Sequence, residues 1–551
     1  MLRRALLTIA ALNAAASFAA AGQMPALNMM QMNGGPQMTW RGLAQGPDLA
    51  EGYYNGGGAM SESFRMPMYS NVPIRYCKVA IPLYYPNGAS LTDTMFAGNQ
   101  AILSYQFGVE YPFSSALSGL AKRIPVTFSG ANSWTYRSAG WSGGWYKLSD
   151  TFDFGQWLPA KTKFGVWSTV EIPTNIGTGA LPTVGNNGSN CLQRYIGAAT
   201  NTTSQIKALG GASDFALTST SIPAATSDIA GQAVYVPMLL CEEPIDAKLA
   251  VTIGDSIAAG VGEGGANGGQ TCAATNGDSY GDALGNGGIV QRGVYEDTNG
   301  NGVNLGLASD GAKNLHTASN WLGRQALLAL ANPTTVFQID VHNDVIPAPS
   351  VGSWVKNTAY APFTVKYNNG AIYIATTGGT TKNQTGAGPT GAGAGIVDGT
   401  VVWNYLAPYL GDGTDSVGSL VGWEAQTNAI IKSIAPNAAI LAMTATPYST
   451  STDSWKTVAN QTAGFGAGSS TSVARWNAFV TSRNPALLIS GYIDPDAALE
   501  TSYPATQSGV WVVAPGQNVV DYATQNDGVH PNSVGYGLVQ AAGVINQSTI
   551  H

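Results

Sequence analysis

From Lys248 to the C-terminus, apolar positions follow two periods in alternation. "LAVTIGD" (249–255), "TTVFQID" (334–340) and "AAILAMTATP" (438–447) are short continuous apolar runs and read as buried strands. Between them, "SNWLGRQALLALAN" (319–332) and "TSVARWNAFVTSR" (471–483) carry helical spacing, and "SVGYGLVQAAGVI" (533–545) closes the chain as a helix. "SLVGWEAQTNAIIKSIAP" (419–436) places Leu420, Trp423, Ile430, Ile431 and Ile434 on one helical face, and Pro436 marks the end. Alternation of this kind predicts an α/β fold with a parallel sheet, and such sheets carry their chemistry at the carboxyl ends of the strands.

The first half has another texture. "YCKVAIPLYY", "AILSYQFGV", "RIPVTFSG", "KFGVWSTVEI" and "QAVYVPMLL" are extended runs separated by Gly, Asn and Ser, so residues 61–243 predict an all-β sandwich or jelly-roll-like domain. "CEEPIDAK" bridges to the α/β part, 248–551. One stretch interrupts the alternation there. Residues 351–408 contain short β runs, a Gly/Thr/Pro-rich middle and the aromatics Trp354, Tyr360, Tyr367, Tyr373, Trp403 and Tyr405. They read as a small aromatic β-module inserted into the α/β domain.

Composition changes the picture in three ways. Charged residues are 10% of 551 and the net charge is −7 without a basic stripe, which excludes nucleic acid as a partner. The start, "MLRR", then "ALLTIAALNAAASF", then "AAAG", predicts a signal peptide over 1–22 and a secreted or periplasmic protein. Asn13 and the alanine-rich run argue against an anchor, and no later stretch has the ~18 uninterrupted apolar residues of a stable membrane insertion. Residues 23–60, rich in Met, Gly, Asn and Gln, read as a loosely ordered lead-in. Export makes Cys77, Cys191, Cys241 and Cys272 disulfide candidates with three connectivities open. Nothing in the sequence defines the oligomeric state.

The candidate chemistry starts with two "GDS" tripeptides. Ser256 follows a strand, whereas Ser279 follows "CAATNG", which cannot form one, so Ser256 is the exposed serine. A serine hydroxyl needs a base. Of four histidines, His551 is the last residue, and His530 alone has an aspartate, Asp527, three positions before it, in "NDGVHPNSVGY". That spacing lets the carboxylate turn back to the imidazole. His316 and His342 form no metal cluster, and neither metal nor cofactor is expected. "DTNGNGVNL" (297–305) resembles a calcium loop but has Ala308 at the acidic twelfth position, and reads as a polar turn. Glycines 262–269 read as a loop beside the nucleophile.

"GDS" at 254–256 and "DGVH" at 527–530, just before the last helix, resemble the first and last blocks of the SGNH (GDSL) hydrolase family. "IDVHND" (339–344) is similar to its "GxND" block at Asn343 and Asp344, with Val341 in place of glycine. The glycine block is represented by Gly306 or Gly311, and Gly311 fits better because "SDGA" precedes a helix. The resemblance covers 248–551 without the insert. It implies a doubly wound, flavodoxin-like three-layer α/β domain and a serine esterase: Ser256 as nucleophile, His530 as base, Asp527 orienting it, and an oxyanion hole from Ser256, Gly311 and Asn343. Asp255 is structural in this reading. His342, Trp354 and Trp403 are candidate substrate-binding residues. The expected partner is an ester substrate, with acyl (acetyl) groups on a polysaccharide as the leading class. A lipase or arylesterase, and a non-catalytic surface or phage-tail-like binding protein, are the alternatives.

Overall fold

The structure is a computed structural model. It describes residues 37–43, 49–54, 60–86, 90–95, 102–113, 123–137, 143–172, 179–184, 205–206, 233–234, 237–260, 288–345, 348–384, 386, 388–465, 471–501, 509–512 and 527–551. The expected signal peptide, most of the lead-in, Cys191, Cys272, Ser279 and the 262–269 loop lie outside these residues.

The C-terminal unit is built in chain order from β1 (Leu249–Gly254), α1 (Ile289–Asp297), β2 (Asn301–Gly306), α2 (Ala312–Leu315), α3 (Leu322–Ala331), β3 (Thr335–Ile339), α4 (Val417–Ile434), β4 (Ala439–Met443), α5 (Ser472–Thr481), β5 (Gly491–Ile493) and α6 (Ser533–Ala541). The five strands form one parallel sheet in the order β2-β1-β3-β4-β5. Every residue of β1 to β4 is buried, which is why these strands read as unbroken apolar runs. The period of two sends alternate residues to different cores. Leu249, Val251 and Ile253 pack with Leu327, Leu328 and Ala331 of α3, whereas Ala250 joins a core with Ile289 and Val294 of α1 and Tyr536 of α6. The order places β1 between β2 and β3, so the connections leave in opposite directions at β1, which is the switch point where open α/β sheets form their crevice.

Two sequence expectations change here. Residues 301–305, expected as part of a polar turn, lie in the strand β2, and α1 before it had no visible helical signal. The asparagines of β2 are tolerated in a buried strand because each is satisfied. Asn301 accepts from the Asn71 N–H (2.8 Å) and donates to Glu243 Oε1 (2.6 Å), and Asn304 donates to the Ala258 carbonyl (2.8 Å). On α4, Leu420 and Ile431 are buried as expected, but Trp423, Ile430 and Ile434 are only partly covered. The buried stripe instead includes Glu424, Thr427 and Asn428.

The N-terminal unit is a β-sandwich. One antiparallel sheet joins Met38–Leu43, Met238–Pro244, Ile74–Pro82, Tyr146–Leu148 and Phe152–Leu158; the other joins Met60–Met68, Phe164–Ile172, Ile102–Glu110, Arg123–Val126, Trp134–Arg137 and Gln205–Ile206. Their inner faces share Val79, Ile81, Leu239, Phe107, Val109 and Phe164. Cys77 and Cys241 are register partners on adjacent strands and form a disulfide. Met38–Leu43 lies in the expected lead-in. It pairs along its whole length with a strand 200 residues later, a partner that local composition does not reveal.

The sandwich is not a separable appendage. Ala80, Tyr84, Met238 and Leu240 belong to the same core as Leu249, Val303, Trp321 and Leu328. Within 351–408, Val365–Asn368, Ala371–Thr377, Val401–Pro408 and Ile396–Asp398 form a four-stranded antiparallel sheet. Its Val365, Ile372 and Leu406 pack against Val417, Leu420 and Val421 of α4. Replacing 352–406 by a short Gly/Ser linker should therefore lower the urea midpoint sharply, since each uncovered Leu, Ile or Val is worth on the order of 1.5–3 kcal/mol.

Glu243 is fully buried where the sandwich meets β2, and burial pushes its carboxyl up to about 8, against the opposing effects of the Asn301 hydrogen bond and Arg41. A carboxyl whose folded pKa lies above its unfolded value of 4.5 stabilises fully below that value, and the contribution is lost as pH rises through about 8. Glu243→Gln should thus show a flatter fall of unfolding free energy between pH 5 and pH 8 than the parent, by up to ~1.4 kcal/mol per pH unit, in urea titrations at both pH values.

Candidate active site

β1 ends in a residue that only glycine can be. Gly254 has φ +145°, and a Cβ there would lie 1.7 Å from the Ile339 carbonyl oxygen of β3. The chain passes over the end of β3, and the Asp255 N–H donates to that same oxygen at 2.7 Å. Asp255 is wholly buried. Its Oδ1 accepts from the Ile257 N–H (2.8 Å) and the Ala258 N–H (3.4 Å), which tightens the turn that follows. Burial pushes its carboxyl well above the usual range. Its role is structural, and it raises Ser256 on the tip of the turn.

The partner of Ser256 arrives from 274 residues away. Ser256 Oγ and His530 Nε2 are 2.7 Å apart, and His530 Nδ1 is 2.7 Å from Asp527 Oδ2. Asp527 Oδ1 accepts from the backbone N–H of Val529 (2.8 Å) and His530 (3.2 Å), so one carboxylate both shapes the turn and holds the ring. With the Nδ1 proton donated to Asp527, Nε2 is the acceptor for the serine hydroxyl.

Other residues hold this turn, and none stood out in the sequence. Gly528 has φ +68°, and a Cβ would sit 1.8 Å from the Ser449 carbonyl oxygen. The Gly528 carbonyl accepts from the Trp511 indole (2.9 Å) and from the Ser449 N–H (3.1 Å). Ser449 Oγ donates to Gln461 Oε1 (2.9 Å) and accepts from the Trp455 indole (3.0 Å), while Gln461 pairs with both backbone groups of Trp511. The clamp joins three segments around positions 450, 461 and 511. Its one sequence cue is a tryptophan in a run with no helical or strand period.

Asn343 is exposed just after β3, and its Nδ2 donates to the Asp310 carbonyl at 2.7 Å. Its second amide hydrogen and the Ser256 N–H have no acceptor among the described residues. Asp344 turns the other way and accepts from the Lys313 N–H (2.8 Å) at the start of α2. Gly311 departs from expectation. Its N–H is taken by Asp310 Oδ1 (2.9 Å), and its missing Cβ makes room for Asp344, whose Oδ2 would lie 2.3 Å from one. Gly311 is a packing position here rather than an available donor.

The expected substrate-binding residues also move. His342 is buried between Phe465 and Tyr448, with Nδ1 3.4 Å from Thr446 Oγ1. Burial first, and then the neighbouring His530, push its pKa down to about 3, so it is neutral and presents no face to a ligand. Trp403 is the fully buried centre of the inserted module, edge-on to Tyr360. Trp354 is half-buried, and its indole N–H is held by Asp398 (2.8 Å). In each case an aromatic that could meet a ligand meets its own module or core instead. Among the described residues no three His, Cys, Asp or Glu side chains are arranged to hold a metal.

No protein-family model matches the chain, and no curated protein matches it in sequence. Among solved structures it is similar to a family two carbohydrate esterase from Cellvibrio japonicus (8% identity, 92% of this chain and 93% of that chain, TM-score 0.23). It is also similar to a peptidoglycan O-acetylesterase (10%, 95% and 80%, 0.28) and to an acetyl xylan esterase from the rumen bacterium Butyrivibrio proteoclasticus (10%, 92% and 96%, 0.27). TM-scores of this size do not define a shared fold, so chemistry follows from the residues alone.

Gly528→Ala should shift the His530 turn, because the added carbon overlaps a carbonyl oxygen. The variant should remain folded by circular dichroism but label at Ser256 at least ~10-fold more slowly with a fluorophosphonate, which reports a base-activated serine.

Proposed function

We propose that this protein is an exported serine esterase that hydrolyses carboxylic esters, with acyl, chiefly acetyl, groups on carbohydrate as substrate. The observation that carries the proposal is the continuous hydrogen-bonded series Ser256–His530–Asp527, at 2.7 Å for each link. A lone Ser–His contact is common on protein surfaces. A serine on a strand-end turn, a histidine held in one tautomer and a carboxylate engaged in shaping that histidine's own turn have a joint use in nucleophilic catalysis.

In this reading the doubly wound, three-layer domain presents Ser256 at the crevice beside β1. Ser256 Oγ attacks the ester carbonyl as His530 Nε2 takes its proton, and Asp527 stabilises the imidazolium. The tetrahedral oxyanion is met by the Ser256 N–H and the second N–H of Asn343, each worth about 3 kcal/mol when aligned. The imidazolium then protonates the leaving alcohol, and water repeats the sequence on the acyl-enzyme. The carbohydrate assignment rests on the predicted export and on the two accessory β-units. Buried Trp403 and His342 contribute nothing to it.

Hydrolysis of p-nitrophenyl acetate by the purified chain tests the reaction. Ser256→Ala should abolish it, and Ser279→Ala should leave it unchanged. Asp527→Asn should lower kcat by ~10²–10⁴ without unfolding the chain. A fully active Ser256→Ala variant would end the proposal, and release of acetate from acetylated xylan but not from short-chain triglycerides is the expected substrate pattern.

A further inference from the structure

The loop that aims Asn343 is anchored in the other half of the chain. Asp310 is wholly buried after β2. Its backbone carbonyl accepts from Asn343 Nδ2 (2.7 Å), and its Oδ1 accepts from the Gly311 N–H (2.9 Å) and Asn314 Nδ2 (2.8 Å). Its Oδ2 is paired with Arg324 Nη1. Arg324 is in turn held by Asp93, from the strand Asp93–Met95 of the N-terminal half. Asp93 Oδ1 accepts from Arg324 Nε (3.1 Å) and Oδ2 from the Arg324 backbone N–H (2.8 Å). The Leu91 carbonyl accepts from Asn314 Nδ2 (3.0 Å) on the same loop. Asp93 and Arg324 are 4% and 3% exposed, so water does not replace either partner.

The contact also completes a helix. α3 begins after Trp321, which makes no side-chain cap, and Arg324 is its third residue. A carboxylate accepting from the third N–H at a helix N-terminus is an N-cap, here supplied from 231 residues away. The guanidinium is fixed at one end by that cap and at the other by Asp310. Without Asp93, Arg324 would be a buried cation with one partner and free rotamers, and its grip on the Asp310 loop would loosen.

We propose that Asp93 and Arg324 are positioning residues of the active site, and that the N-terminal unit, through Asp93–Arg324–Asp310, sets the aim of Asn343. This rests on the esterase reading for its kinetic consequence, and on the hydrogen bonds alone for its geometric one. An oxyanion donor displaced by about 1 Å loses much of its effect. The reacting atoms and the Ser256–His530 pair stay in place, so turnover should suffer and ground-state binding should not.

The test uses the full chain with three substitutions. Asp93→Ala removes the link, and Asp93→Asn keeps an acceptor for the helix cap while removing the charge, in case the first fails to fold. Arg41→Ala is the control. It breaks contacts at the same boundary, with the Asn332 carbonyl (2.8 Å) and the Ile245 carbonyl (3.0 Å), but at the far end of α3. The expected result is a ~10–100-fold lower kcat on p-nitrophenyl acetate with KM within twofold for the Asp93 variants. Arg41→Ala should lower Tm comparably and keep kcat within twofold. Crystal structures of the Asp93 variants should show Asn343 Nδ2 beyond hydrogen-bond distance of the Asp310 carbonyl. Parental kcat in the Asp93 variants, an equal kcat loss in Arg41→Ala, or an unmoved Asn343 would overturn the proposal. A parent without Ser256-dependent turnover, together with a displaced Asn343 in the variant crystals, would sink the esterase reading and leave the linkage standing.

Discussion

Two consecutive carbonyls at the end of β3 hold the site together. The Ile339 oxygen receives the Asp255 N–H, and the Asp340 oxygen receives the Ala312 N–H at 2.9 Å. The first bond pins the turn that carries Ser256, and the second pins α2 and the loop ahead of it. The first depends on the chain crossing β3 at a distance that a side chain would forbid, which is why position 254 is glycine. Asn343 follows three residues later on the same strand exit. Nucleophile and amide are thus referenced to one strand end, and only the histidine turn must be brought in from elsewhere.

Carboxyl groups beneath this junction are managed by burial. Burial pushes Asp340 up to about 7 and Glu424 well above its usual value, and the proximity of the two carboxyls raises Glu424 further. Asp255 is raised in the same way. Asp527, two-fifths exposed, is the carboxylate directly paired with the imidazole. Asp310 is paired with Arg324.

The accessory units are integrated into the fold to a degree their textures concealed. The sandwich shares a core with β1, β2 and α3, and the inserted module completes the apolar cover of α4. An aromatic-rich segment is ambiguous because rings serve equally as core and as ligand platforms. Trp403 and Trp354 show the first use, with one ring fully enclosed and the other tied through its indole N–H.

Local chemistry was legible in the chain. A buried strand ending in Gly-Asp-Ser, an aspartate three residues before a histidine, and an asparagine at the exit of a second strand are all short-range patterns; folding brings Ser256, His530 and Asp527 within hydrogen-bond reach and sets Asn343 against the Asp310 carbonyl. The parallel strands β1, β3 and β4 were legible because burial on both faces leaves an unbroken apolar run. Tertiary structure alone decided the rest. "NGVNLG" is a strand because Ser70, Asn71 and Glu243 satisfy its asparagine from far along the chain. Gly311 lost its N–H to a neighbouring carboxylate, and His342 was enclosed by rings contributed from positions 448 and 465. Which polar group is free and which ring is exposed depends on the partner that folding delivers, from the adjacent Asp310 for Gly311 to Ser70, 231 positions away, for Asn301, and no local period encodes that choice.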